Sequence, residues 1–368
     1  MNIYVNQNIP FIKESLTKSC LTIDNINLDN KSIIQNNIKA LFIRSNEKIT
    51  PELLKNTDID FIVTATSGTD HISSGIPHYS IPGANANSVA EYVIFAISKY
   101  LMDDSLNPNN LTIGIIGYGN IGKLVAYYAH QMGLKVLIND PPLLEANEIF
   151  PDYTEHVQLD TLLKESNIIT NHIPLTKIGK NPTYRLLDYD RLYLIKPNAL
   201  LIHTSRGGVI DEEALKRIVA EKNLTLAIDV WQNEPQIDFD LLKFAKIATP
   251  HLAGYSYNGK IKASYIALKY FEKHTGIMPD YSILEHKFKQ IQINDSVDFS
   301  NIKDIYEKLD KYRNFSEDNV QFRKIAELNK DKFSDTFKHI RQNYPKRYEV
   351  FIPPSELNII YKLFGKVI

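Results

Sequence analysis

The chain has 368 residues, 43% of them hydrophobic and 23% charged, with a formal net charge of −1. That length suits two or three domains, and that composition suits a protein with a sizeable buried core rather than a disordered or fibrous one. A charge so close to zero gives no field to draw the chain onto nucleic acid or an anionic membrane, and neither partner is expected.

One cysteine, Cys20, excludes an internal disulfide and fits a reducing compartment. Met1 to Pro10 has no basic stretch followed by an apolar run, so no signal peptide is read there. No stretch approaches the roughly 18 apolar residues of a membrane-spanning helix. The expected location is the cytoplasm.

The first part, about residues 1–90, alternates short apolar runs with polar connectors. Ala40 to Arg44 and Phe61 to Ala65 read as buried strands, and Asn2 to Val5 as a weaker third. Asn87-Ser88 precedes the apolar run Val89 to Leu101, which predicts a helix with a polar N-cap and Glu91 in its first turn. It ends before the breaker cluster Asn107-Pro108-Asn109-Asn110. From Leu111 the pattern turns to strand (Leu111 to Ile116), helix (Lys123 to Met132, ended by Gly133) and strand (Lys135 to Asn139). Ile168 to Thr170, Ala199 to Ile202, Thr225 to Asp229 and Lys246 to Thr249 are further strands. Strands alternating with helical stretches predict a doubly wound parallel sheet, an α/β fold. A long helix is expected over Asn258 to His274. Beyond about Met278 come strand-like alternation at Gln290 to Ile293, a polar helical middle, and a closing strand at Val350 to Ile352.

Gly117-Tyr118-Gly119-Asn120-Ile121-Gly122 is a full G-x-G-x-x-G placed between an apolar strand and a helix. There the first glycine makes the tight turn, the second admits a pyrophosphate and the third lets helix and strand pack closely. The helix N-terminus turns free N–H groups and partial positive charge toward the phosphates. Asp140 ends the next strand, where a carboxylate can bond ribose hydroxyls and repel a 2′-phosphate. NAD is therefore the expected cofactor, favoured over NADP.

Three later strands end in polar residues. Thr204-Ser205-Arg206-Gly207-Gly208 follows one, Asp229 ends another ahead of Trp231, Asn233, Glu234 and Pro235, and Thr249-Pro250-His251 follows a third. In an open parallel sheet, ligands bind outside the carboxyl ends of the strands, so Arg206, Glu234 and His251 are directed to one crevice. A guanidinium can hold a carboxylate bidentately. A histidine can take a hydroxyl proton as hydride leaves the same carbon, and a carboxylate beside it favours its charged form. Alone, Arg206 and His251 read equally as ordinary loop residues and Glu234 more often as a solvated loop carboxylate; their order after a cofactor motif gives the functional reading. No metal site is expected.

Together these motifs resemble the D-isomer-specific 2-hydroxyacid dehydrogenases. The resemblance implies Arg206, Glu234 and His251 as the catalytic set, His251 being the acid/base and Glu234 its partner. Ile43-Arg44-Ser45, Thr64 to His71, Pro82 to Ala86 and His251-Leu-Ala-Gly-Tyr255 are similar to one branch of that family, which acts on a small phosphorylated 2-hydroxy acid. Most relatives lack the Thr69-Asp70-His71 run and the Gly254-Tyr255 pair. The C-terminal stretches Phe322 to Ala326 and Lys332 to Tyr344 resemble the dimerisation domain of the same branch, so the likeness covers essentially the whole chain.

It implies a Rossmann NAD-binding domain over 91–254 and a flavodoxin-like substrate domain over 1–90, with 255–277 returning to it. It also implies a small α+β C-terminal domain over 278–368 that forms a homodimer. Ser45, Thr66 and Tyr255 would touch substrate, with Arg44 a candidate for its phosphate or else an ion-paired surface residue. Gly117, Gly119, Asn120, Ile121, Gly122, Asp140, Ile173, Thr204, Ser205, Arg206, Asp229 and Gly254 would touch the cofactor. Departures from the family pattern are Asn198 where glycine is usual, Gly208 where proline is common, and Ile173 in place of a small hydroxyl residue. Two rivals stay open: another enzyme of the family, such as a phosphoglycerate dehydrogenase, and a non-catalytic NAD-sensing protein akin to the corepressors that share these residues.

Overall fold

The computed structural model describes residues 1–291, 295–328 and 332–354. Contacts divide the chain into two units. The first holds Met1–Ala86 and the described part of Ser256–Ile293; the second holds Asn87–Tyr255 and the described part of Asn294–Pro353.

In the first unit the chain runs through β1 (Asn2–Val5), α1 (Ile12–Leu16), β2 (Leu21–Ile23), α2 (Asn30–Gln35), β3 (Ile38–Ile43), β4 (Phe61–Thr64) and β5 (His78–Tyr79). The strands pair in parallel in the order β2-β1-β3-β4-β5, the flavodoxin-like winding. All of β4 and nearly all of β3 are buried, which is why both read as unbroken apolar runs.

The helix α3 (Ala86–Asp103) leads into the second unit. Asn87 and Ser88 lie inside its first turn rather than capping it. Asn87 Nδ2 donates to Glu349 Oε2 (3.1 Å) and the Phe351 carbonyl (2.9 Å), and Ser88 Oγ donates to the Ala253 carbonyl (2.9 Å). There follow β6 (Thr112–Ile116), α4 (Asn120–Gln131), β7 (Lys135–Asn139), α5 (Pro141–Glu145), β8 (Thr154–His156), α6 (Leu159–Glu165), β9 (Ile168–Asn171) and α7 (Tyr189–Leu194). The series closes with β10 (Leu200–His203), α8 (Glu212–Lys222), β11 (Thr225–Ile228), α9 (Phe239–Phe244) and β12 (Ala245–Ala248). All seven strands are parallel, in the order β12-β11-β10-β9-β6-β7-β8. Strand order reverses at β6, which opens a ligand crevice at the carboxyl ends of β6 and β9. Asn198, just before β10, sits at φ 61, a left-handed conformation that asparagine tolerates where glycine is the usual choice. Gly208 sits at φ 89, which proline could not adopt.

Two helices return to the first unit, α10 (Tyr257–Thr275) and α11 (Ser282–Lys289). Ser256 caps α10 by accepting from the Gly259 amide, and Gly276 at φ 73 ends it. Ile261, Leu268, Phe271 and Leu284 share a core with Ile3, Phe42, Phe61 and Val63. The strand-like stretch from Gln290 to Ile293 begins where α11 ends, and its last two residues lie outside the described ones.

The last helices among the described residues, α12 (Ile302–Arg313), α13 (Phe315–Leu328) and α14 (Phe333–Gln342), belong to the second unit. Phe322, Phe333 and Phe337 pack into one core with Trp231, Leu241 and Ala245. Arg313 and Glu91 are both fully buried and form an ion pair of 2.7 Å. Glu91 Oε1 also accepts from the amides of Val350 (2.5 Å) and Phe351 (2.7 Å). The closing strand expected at Val350 to Ile352 is therefore absent, because a buried carboxylate takes the amides that a neighbouring strand would need. Among the described residues no helix is long and apolar enough to cross a membrane.

Candidate active site

The glycine turn after β6 is shaped by contact as much as by torsion. Gly117 stands at φ 92, and a Cβ there would lie 2.7 Å from Ile173 Cγ2 and 2.9 Å from the His172 carbonyl oxygen. A Cβ on Gly122 would fall 2.1 Å from the Gly117 carbonyl oxygen. At Gly119 nothing lies within 4 Å of the same position, so the middle glycine faces open space. Gly119 N-caps α4 with no side-chain bond, leaving the first-turn amides around Asn120, Ile121 and Gly122 without a capping acceptor. Asp140 accepts from the Tyr118 amide (2.8 Å) and the Leu143 amide (3.1 Å), which fixes its carboxylate beside the turn. An open anion cradle flanked by an acid fits a dinucleotide: the turn would hold the pyrophosphate and Asp140 the ribose.

The other chemistry-bearing residues gather at the ends of β10, β11 and β12. Ser205 Oγ donates to Asn171 Oδ1, Thr204 Oγ1 pairs with His172 Nδ1 (3.3 Å), and Arg206 Nη1 donates to the Ser205 carbonyl (2.8 Å). A Cβ on Gly207 would lie 2.0 Å from the Trp231 carbonyl oxygen. The arginine loop is thus in direct backbone contact with the turn after β11. The Trp231 amide donates to Glu234 Oε1 (2.9 Å), and Glu234 Oε2 bonds His251 Nδ1 (2.8 Å). This leaves His251 Nε2 as the nitrogen available to exchange a proton with a ligand.

One buried carboxylate organises the segment carrying that histidine. Asp229 accepts from Thr249 Oγ1 (2.6 Å) and from the amides of Leu252 (2.6 Å) and Ala253 (3.1 Å). Its own carbonyl accepts from the His251 amide (2.8 Å). So held, His251 adopts φ 59, a left-handed conformation that costs a residue with a Cβ about 1–3 kcal/mol. Such strain persists only where surrounding bonds over-determine it, and it concentrates at functional sites.

Burial pushes the Glu234 carboxyl up, but the charge and hydrogen bond of His251, the charge of Arg341 and the Trp231 amide outweigh it and hold Glu234 below its usual range. Burial raises the Asp229 carboxyl despite its bonds. Burial also pushes His172 and His203 down to about 3, so both stay neutral near pH 7. His203 Nδ1 bonds Asn171 Oδ1 (3.1 Å) while its Nε2 is buried with no hydrogen-bond partner.

The second unit therefore brings together Gly117 to Gly122, Asp140, Ile173, Thr204 to Arg206, Asp229, Glu234, His251, Gly254 and Tyr255. Arg44, Ser45 and Thr66 lie in the first unit, after the adjacent strands β3 and β4. The Arg44 amide donates to Glu47 Oε2 (3.0 Å), and Thr66 Oγ1 bonds Thr64 Oγ1 (2.7 Å). His172, His203, Arg313 and Arg341 were not singled out from sequence. The two histidines stand at the ends of β9 and β10, where the strand-end rule could have found them. The arginines sit on polar C-terminal helices without any motif.

Residues 97–253 match the NAD binding domain of the D-isomer specific 2-hydroxyacid dehydrogenases. The erythronate-4-phosphate dehydrogenase of Hydrogenovibrio crunogenus is 40% identical over 252 residues, 67% of this chain and 65% of that protein. That of Pseudoalteromonas translucida is 33% identical over 363 residues, 95% of this chain and 93% of that protein. Among solved structures, the D-lactate dehydrogenase of Aquifex aeolicus complexed with NAD and lactic acid aligns with a TM-score of 0.61 at 24% identity, over 75% of this chain and 96% of that one. That likeness concerns the fold. On the sequence relatives and the NAD-domain match, the chain belongs to the erythronate-4-phosphate dehydrogenases within the D-isomer-specific 2-hydroxyacid dehydrogenase family, NAD-dependent oxidoreductases.

Proposed function

We propose that this chain oxidises 4-phospho-D-erythronate to (3R)-3-hydroxy-2-oxo-4-phosphooxybutanoate with NAD as acceptor, a step serving the synthesis of pyridoxal 5′-phosphate. The observation that carries the reading is the 2.8 Å bond between His251 and Glu234, built in the same unit as the Arg206 loop and the glycine turn. In this mechanism Arg206 pairs with the substrate carboxylate and orients the 2-oxygen. His251 Nε2 takes the proton of the 2-hydroxyl, and the carboxylate of Glu234 stabilises the imidazolium that forms. The C2–H bond breaks as the carbonyl forms, and bound NAD supplies the hydride acceptor at its nicotinamide ring. Asp229 keeps the histidine segment in place. Ser45, Thr66 and Tyr255 are assigned to substrate contact and Asp140 to the ribose. The C-terminal part, 278–368, is assigned to a homodimer, for which sedimentation analysis is the direct measurement.

A panel of phosphorylated and unphosphorylated 2-hydroxy acids, run with NAD and with NADP, tests the reading. The expected result is highest kcat/KM with 4-phosphoerythronate and NAD. Higher turnover on 3-phosphoglycerate would move the chain to another enzyme of the family, and NAD binding without turnover of any acid would make it a sensor. His251→Ala should lower turnover by about 10² or more in a protein that still binds NAD.

A further inference from the structure

The C-terminal helices bring the site a cation that no motif announces. Arg341, in the last turn of α14, has its guanidinium carbon 5.8 Å from the centre of the Tyr255 ring and 6.0 Å from that of Phe337. It acts on Glu234 through its charge. Yet Glu234 directs its oxygens elsewhere, Oε2 to His251 and Oε1 to the Trp231 amide. Arg341 makes no ion pair of its own among the described residues, and its Nε is buried with no hydrogen-bond partner. One ring further on the arrangement repeats. Tyr344 stands edge-on to Tyr255 with ring centres 5.7 Å apart, and Arg347 lies 5.9 Å from the Tyr344 ring, its Nε again buried and unpartnered.

A buried guanidinium N–H without an acceptor is costly, and such a group in a native structure calls for an explanation, a bound ligand or water being one. Aromatic faces shield the cation and strengthen its field but offer no lone pair. The acceptor that suits the fork is an oxyanion, a carboxylate or a phosphoryl group. In the proposed reaction the substrate carboxylate is already taken by Arg206. In a 4-phosphorylated four-carbon acid, two carbons and an ester oxygen separate the reacting C2 from phosphorus. With C2 at the His251 ring, the phosphoryl end therefore stays in the neighbourhood that Arg341 shares through Glu234 and Tyr255.

The geometry points to Arg341 as the residue that receives the phosphoryl group of the substrate, with Arg347 as a second cation one ring away. Arg341 would then set specificity for phosphorylated over unphosphorylated 2-hydroxy acids. This rests on the phospho-acid reading above.

The experiment compares wild type, Arg341→Met, Arg341→Lys and Arg44→Met on 4-phosphoerythronate and on erythronate. For Arg341→Met the ratio of kcat/KM between the two acids should fall by about 10-fold or more, through KM for the phosphorylated acid, with NAD affinity and melting temperature near wild type. Arg341→Lys, which keeps the charge and loses the fork, should fall between the two. Inorganic phosphate should compete with 4-phosphoerythronate in wild type and lose at least several-fold in potency in Arg341→Lys, a readout that survives if the methionine variant does not fold. Equal loss on both acids would show Arg341 acting only through Glu234 and overturn the assignment. So would loss of the preference in Arg44→Met alone. A wild type indifferent to the phosphate overturns the functional reading itself, whereas a wild-type preference retained in the Arg341 variants overturns only this inference.

Discussion

At the scale of single residues, the site works by restricting choices. His251 is bonded through Nδ1 to a carboxylate and through its amide to the carbonyl of Asp229, so its ring has one tautomer and one direction to offer. Glu234→Gln keeps the shape and removes the charge proposed to stabilise the imidazolium; turnover should fall roughly 10-fold or more with KM for NAD unchanged, and undiminished turnover would remove Glu234 from the proposed mechanism. His203 makes a different prediction. Once unfolded, a histidine titrates near 6.5, but in the fold burial holds His203 near 3. Between those values the unfolded chain binds a proton that the native one refuses. The stability held above pH 6.5 is thus lost as pH falls toward 3, by about 1.4 kcal/mol per pH unit. In denaturant melts between pH 6.5 and pH 4, His203→Gln should lose stability less steeply than wild type; parallel curves would refute the burial argument. The strand-end placement of Arg206, Glu234 and His251 was legible because each lies in a polar segment shortly after an apolar strand run and downstream of the glycine motif. The strand-end position of His203 was open to the same rule, but nothing in a lone histidine there tells that its ring is buried and neutral.

At the scale of elements, the site depends on how closely two loops approach. The Arg206 loop touches the turn carrying Glu234 only because Gly207 has no side chain; a Cβ would meet backbone at 2.0 Å. Gly207→Ala must push the loops apart, lowering both kcat/KM and melting temperature, whereas a variant with wild-type kinetics would mean the two loops are not mechanically linked. Strands buried on both faces, such as β4, β6, β9 and β10, could be read from continuous apolar runs. The short, largely uncovered β2, β5 and β8 could not, because two or three partly exposed residues carry no pattern. The helix start at Ala86 and the missing strand at Val350 share one cause. Tertiary partners, Tyr128, whose hydroxyl donates to Asn87 Oδ1 (2.7 Å), and Glu91 claimed groups that local rules assign to a cap and a ladder.

At the scale of the whole molecule, the buried Arg313–Glu91 pair ties a C-terminal helix to the first helix of the nucleotide-binding unit. Arg313 Nη2 also donates to the carbonyls of Ala253 (3.3 Å) and Tyr255 (3.1 Å), just beyond the histidine. Arg313→Met would strand a buried carboxylate and should cost about 3–5 kcal/mol in chemical unfolding. Adding Glu91→Leu should recover part of that loss, and no recovery would mean the cation acts mainly on the backbone carbonyls. None of this pairing was visible in sequence, where the two residues stand 222 positions apart.

The return of α10 and α11 to the first unit has a bearing on synthesis. One wall of the early core, with Ile261, Phe271 and Leu284, reaches the ribosome exit only after the whole segment 87–255. The N-terminal strands are translated first yet must wait, with Phe42 and Phe61 incompletely covered, while the intervening nucleotide-binding segment emerges. Nascent chains stalled before residue 261 would therefore carry an exposed apolar sheet face, the kind of surface that holdase chaperones protect during translation.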